Sequence, residues 1–85
     1  MSYFVYIVEC SDTTYYTGST SDLEKRLHEH NHTKSGAHYT KLRRPVKLIH
    51  FEELKSLRDA RKREYELKGM TRKQKDELIS SKQTL

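Results

Sequence analysis

The sequence predicts an α+β fold: a small three-stranded, mainly antiparallel sheet flanked by helices, with elements in the order β-β-α-β-α-α. Three observations carry this prediction. Residues 3–10 and 14–18 are rich in aromatic and β-branched side chains and are separated only by the turn formers Ser11, Asp12 and Thr13, the pattern of a hairpin. Residues 21–31 and 56–68 space their apolar side chains three and four apart, as helices do. Between them PVKLIHF, residues 45–51, alternates well enough for a third strand. At 85 residues the chain has room for one domain, residues 1–85.

On the first strand Phe4, Tyr6, Val8 and Cys10 share a face, and on the second Thr14, Tyr16 and Gly18 do. A register with Cys10 opposite Tyr16 places Tyr6 and Tyr16 on the same side, whereas a slip of one residue would separate them. Ser21 and Glu24 have the spacing of a capping box and start the first helix. Residues 31–44 break the periodicity, contain Gly36, and carry a basic aromatic patch of Lys34, His38, Tyr39, Lys41, Arg43 and Arg44; a surface loop is expected there. The third strand is expected to put Val46, Leu48 and the His50 ring on one face. Ser56 and Asp59 cap the second helix and Gly69 ends it. Thr71 and Gln74 start a short third helix to about Ser80, with a frayed tail from about residue 81.

Both longer helices carry polar residues where a buried stripe belongs. Leu23 and Leu27 mark the inward face of the first, and at 100° per residue Arg26 and His30 fall within it. In the second, Leu57, Ala60 and Leu67 form the stripe and Glu64 interrupts it. Unpaired buried charge costs several kcal/mol or more, so these groups should meet one another, a metal, or a cleft open to substrate. From the residues alone, an Arg26–Glu64 structural ion pair and a catalytic site are both open. His28 and His32, four apart, have a spacing that can hold zinc, but no second ligand pair accompanies them.

The bulk properties narrow the classes. Residues 1–40 hold three Lys or Arg against five Asp or Glu, and residues 41–85 hold fourteen against seven, so the basic field belongs to the C-terminal half. Such a field suits a polyanion, nucleic acid foremost. Mean hydropathy is −1.01, and no apolar run approaches the ~20 residues that span a bilayer. The first ten residues lack the basic start of a secretory signal, and the single Cys10 can form no internal disulfide. A cytoplasmic protein is expected.

Beyond these readings, the chain resembles the GIY-YIG nucleases, and in particular their short stand-alone bacterial members and the N-terminal cleavage domain of the bacterial excision-repair endonuclease. Phe4-Val5-Tyr6 and Tyr16-Thr17-Gly18 look like the two signature tripeptides. Arg26 stands ten residues after the second tyrosine, His30 one turn further on, and Glu64 four residues after Ala60, as the family places its arginine, its His or Tyr, and its metal-binding glutamate. The stretches YYTGST, DLEKRLHEHN, RRPVKL and REYELKGMTR extend the resemblance over roughly residues 3–80. It implies a metal-dependent endonuclease acting on DNA, a DNA-repair type of activity, with Tyr6, Tyr16, Arg26, His30 and Glu64 catalytic. Glu64 would hold Mg²⁺ or Mn²⁺, Arg26 would clamp the phosphate, and one of the two tyrosines would act as general base. The chain departs from the family in having Ser19 where several members carry a lysine, and it has no clear match for a late asparagine. A nucleic-acid-binding module with little catalysis, or an accessory subunit of a larger nuclease, is therefore the alternative.

Overall fold

The run FVYIV explains the centre of the fold. In a computed structural model of the chain, which describes residues 2–83, strand β1 (Tyr3–Glu9) lies between β2 (Tyr15–Thr20) and β3 (Lys47–Leu54), both antiparallel to it. Val5, Tyr6, Ile7 and Val8 are at most 1% exposed, because a middle strand with helices on both faces has no wet side. Val5 and Ile7 join Ala60, Leu67 and Ile79 in one core, and Tyr6, Val8 and Cys10 join Val46 in the other.

The first core lies under α3 (Leu57–Lys68) and α4 (Arg72–Gln83), the second under α1 (Leu23–His32) and the one-turn α2 (His38–Lys41). The predicted three-stranded α+β architecture is the observed one. No helix among the described residues is long and apolar enough to cross a membrane.

The hairpin turns through residues 10–14, with Cys10 N–H donating to Thr14 O and Thr13 N–H to Cys10 O. Thr13 adopts φ 68°, a left-handed conformation steadied by the neighbouring Asp12, which accepts from both the backbone and the hydroxyl of Thr14. Val8 faces Tyr16 and Tyr6 faces Gly18, two residues from the register that pairs Cys10 with Tyr16. A shift of two keeps every side chain on its face, so Tyr6 and Tyr16 do share a side.

Four local expectations are corrected. The first helix is capped by Asp22, whose side chain accepts from Lys25 N–H, and not by Ser21; Thr20 in turn holds the Asp22 backbone. The segment expected as a loop contains α2. In β3 an irregularity between the Ile7 and Val8 pairings sets His50 against Ile7 and Leu48 against Val8, leaving Ile49 as the extra residue. That bulge reverses the alternation, so Leu48 and Val46 pack in the Tyr6 core while His50 bonds Glu52, which takes Arg63 of α3. Leu57, placed in the buried stripe, is 42% exposed at the start of its helix.

Ser56 caps α3 and Gly69 ends it as predicted, and Thr71 and Gln74 form a reciprocal capping box. The last helix runs to Gln83, beyond the expected stop near Ser80; residues 84 and 85 lie outside the described ones.

Candidate active site

The site grows from the centre of the sheet outward. Tyr6 on β1 lays its ring over Gly18 of β2: a Cβ there would stand 2.6 Å from the Tyr6 hydroxyl, 2.8 Å from Cζ and 3.2 Å from the Tyr16 ring. Gly18 has no positive φ, so the motif needs glycine for space and not for backbone freedom.

With Tyr6 lowered onto the strand, its hydroxyl reaches Nε2 of His30 at 2.6 Å. His30 is fully buried, as its place on the inward face of α1 predicted, and its Nδ1 lies 2.8 Å from Thr40 Oγ1 of α2. Tyr16 meets the same imidazole edge-on, with ring centres 5.4 Å apart.

Burial pushes the Tyr6 phenol up to about 12, with a hydrogen bond and positive charge from Arg26 pulling the other way and the charges of Tyr16 and Glu64 adding to the rise. Burial likewise holds His30 down to about 4, reinforced by the Arg26 charge and opposed by Glu29. At neutral pH the pair is therefore an intact phenol and a neutral imidazole.

Arg26 is half-buried on α1 and donates through Nη1 to Glu29 Oε1 at 3.0 Å and to Ser35 O at 2.9 Å. Glu64 on α3 is also half-buried. It accepts from Ser19 Oγ at 2.7 Å and pairs with Lys68 Nζ at 2.7 Å. Burial acts to raise its carboxyl, but Lys68 and Ser19 outweigh it and keep it below the usual range. Arg26 and Glu64 thus take Glu29 and Lys68 as partners and not each other, which removes the structural ion pair.

Tyr6, Tyr16 and His30 lie on the α1 side of the sheet, while Ser19, one residue from Gly18, faces the α3 side and meets Glu64 there. The site straddles the edge strand β2, close enough that the Glu64 charge is felt at Tyr6. One ionised carboxylate beside a hydroxyl suits a hard cation that keeps most of its waters, such as Mg²⁺. A zinc site asks for more: among the described residues no three His, Cys, Asp or Glu group to hold a metal, and the exposed rings of His28 and His32 lie 4.8 Å apart without a third ligand.

The basic aromatic patch divides in two. Lys34 and His38 are exposed and Lys41 is half-buried. Tyr39 stacks on Tyr16, with ring centres 5.9 Å apart, and is covered by the Arg43 guanidinium at 3.9 Å; Arg43 is also tied to Asp12. Arg44 donates to the carbonyls of Glu29, His30 and Thr33 and so closes the C-terminal end of α1. Gly36 belongs to the same closure, since a Cβ there would stand 2.5 Å from Glu29 O.

The sequence singled out neither Thr40 nor Lys68, and Ser19 only as a departure from the family's lysine. Ser19 adjoins the second tripeptide and Lys68 is four residues after Glu64, both legible signals; Thr40 lies in a segment without periodicity and had none.

Comparison with known proteins bears on the fold and the family. The family profile of the GIY-YIG catalytic domain matches residues 2–77. A UPF0213 protein of Syntrophus aciditrophicus is 58% identical over 76 residues, covering 89% of this chain and 87% of that one. The UPF0213 protein YazA of Bacillus subtilis is 47% identical over 81 residues, covering 95% and 81%. Among solved structures, the solution NMR structure of a UPF0213 protein from Bacillus halodurans superposes with a TM-score of 0.63 at 39% identity, covering 96% of this chain and 86% of that one. One of a protein from E. faecalis does so with 0.68 at 39%, covering 100% and 90%.

Proposed function

The chain belongs to the GIY-YIG family, a family of nucleases, and on that premise we propose that it is a divalent-metal-dependent endonuclease hydrolysing phosphodiester bonds in DNA with low sequence specificity. The observation that carries this reading is the meeting of Tyr6, Tyr16 and His30 over Gly18, with the charges of Arg26 and Glu64 both acting on the Tyr6 phenol.

Glu64 would hold Mg²⁺ or Mn²⁺, which when bound offsets charge on the phosphoryl oxygens and stabilises the leaving alkoxide. Arg26 contributes a permanently charged planar fork for the phosphate. Tyr6 is the general base. Its O–H abuts a neutral imidazole, so as Tyr6 Oη takes a proton from the attacking water its own proton passes to His30 Nε2. An arriving phosphate works in the same direction, because it offsets the Arg26 charge that holds His30 down. Tyr16 packs against the imidazole and orients it.

Lys34, His38 and Lys41 supply contacts to the polyanion, and Tyr39, Arg43 and Arg44 hold the segment that carries them. Backbone contacts of this kind fix position without reading bases, hence the low specificity.

The test incubates supercoiled and branched DNA with Mg²⁺, comparing the wild type with Glu64→Ala and Arg26→Ala. Nicking by the wild type and its loss in both variants is expected. No nicking, or nicking that survives both substitutions, overturns the enzyme; salt-sensitive binding without nicking would return the chain to the binding-module reading.

A further inference from the structure

The proton route from Tyr6 needs a bare ring nitrogen facing it, and the fold contains a group that decides which nitrogen is bare. Thr40 is fully buried. Its hydroxyl donates to Ala37 O at 2.9 Å, while Oγ1 stands 2.8 Å from His30 Nδ1. A hydroxyl has one proton, so toward the imidazole this oxygen can only accept. Nδ1 therefore carries the ring hydrogen, and Nε2 turns its lone pair to the Tyr6 hydroxyl 2.6 Å away. In the other tautomer, the Nδ1 lone pair could be met only by turning the Thr40 proton away from Ala37 O, and Nε2–H would donate to the Tyr6 oxygen, leaving the phenol proton without an acceptor on the ring.

We propose that Thr40 is a positioning residue that locks His30 in the Nδ1–H tautomer and so keeps Nε2 open as acceptor for the Tyr6 proton. The consequence for rate rests on the nuclease reading; the tautomer does not. The one-turn helix α2 thereby acquires a task. Its N-cap residue Ala37 supplies the carbonyl that occupies the Thr40 proton, and its third residue presents the oxygen to α1. Nothing in the periodicity of residues 31–44 announces this, because the arrangement joins three separate segments.

The test uses protein labelled with ¹⁵N-histidine, in which long-range ¹H–¹⁵N spectra distinguish a protonated from a bare ring nitrogen. The wild type should show His30 with Nδ1 protonated and Nε2 bare; the reverse assignment overturns the proposal without any variant. Thr40→Ser retains the hydroxyl and should keep the wild-type pattern. Thr40→Val matches the shape without the hydroxyl and should shift His30 toward the Nε2–H form. Retention of the wild-type tautomer in Thr40→Val overturns the assignment.

Nicking of supercoiled DNA is then measured across pH. Thr40→Val should be slower by about tenfold or more with a displaced pH profile, and Thr40→Ser close to wild type. Equal rates and profiles in wild type and Thr40→Val overturn the positioning role. Absence of nicking in the wild type sinks the nuclease reading instead, while the predicted tautomer switch would still support Thr40 as the group that sets the ring.

Discussion

Gly18 and Tyr6 stand opposite each other on neighbouring strands, and the phenol occupies the space that any side chain at position 18 would need. Gly18→Ala would place a methyl group 2.6 Å from the Tyr6 hydroxyl and 3.2 Å from the Tyr16 ring. The ring must lift, which breaks the 2.6 Å contact with His30. We expect a loss of stability of about 1–3 kcal/mol, measured by urea unfolding, and a fall in nicking larger than that loss of fold accounts for. Unchanged activity would mean that the Tyr6–His30 contact carries no part of the reaction.

Tyr6→Phe and Tyr16→Phe should separate the two tyrosines. If Tyr6 is the base, its phenylalanine variant lowers single-turnover nicking by about 10²–10⁴-fold. Tyr16→Phe keeps the ring that packs on His30 and Tyr39 and should cost far less. The opposite order would transfer the role to Tyr16.

Metal dependence and the carboxylate should fail together. Chelation should abolish nicking, and Glu64→Gln should not be restored by excess Mg²⁺. Glu64 is half-buried, with its pair to Lys68 and its bond to Ser19 at the edge of the sheet. The variant should therefore unfold within about 1 kcal/mol of wild type in urea.

Acid stability follows from His30. Its folded-state value is about 4 against an ordinary 6.5, so between these limits the unfolded chain binds the proton that the folded chain refuses. Stability is then fully present above pH 6.5 and falls as pH drops toward 4, by on the order of 3 kcal/mol. Below the ordinary carboxylate range near 4.5, the depressed Glu64 and Glu52 add to the loss. Urea midpoints at pH 7, 5.5 and 4.5 should show this slope, and His30→Gln should flatten the part between pH 6.5 and 4.

The basic patch should split by function. Arg44→Met removes the group that closes three carbonyls of α1 and should destabilise the fold by about 1–3 kcal/mol. Paired Lys34→Ala and Lys41→Ala changes should leave stability alone, weaken DNA binding, and reduce the slope of log affinity against log salt by about 1–2. An unchanged slope would remove these lysines from the interface.

Periodicity and local chemistry are carried by neighbours in the chain, and they were legible in order. The hairpin, the third strand, the Ser56 cap, the Thr71–Gln74 box and the inward set of Arg26, His30 and Glu64 all follow from spacing within one element. Face-sharing by Tyr6 and Tyr16 was legible only up to the parity of the register, and the 10–14 turn supplied that parity. What tertiary structure alone decided are relations between elements. The bulge at Ile49 turned His50 to the α3 side, Arg44 went to the end of α1, Glu64 met Ser19 of the edge strand, and Thr40 came to rest against His30. Each depends on which distant polar groups are left unsatisfied once the layers pack. That remainder is set by the whole fold and is written in no single segment.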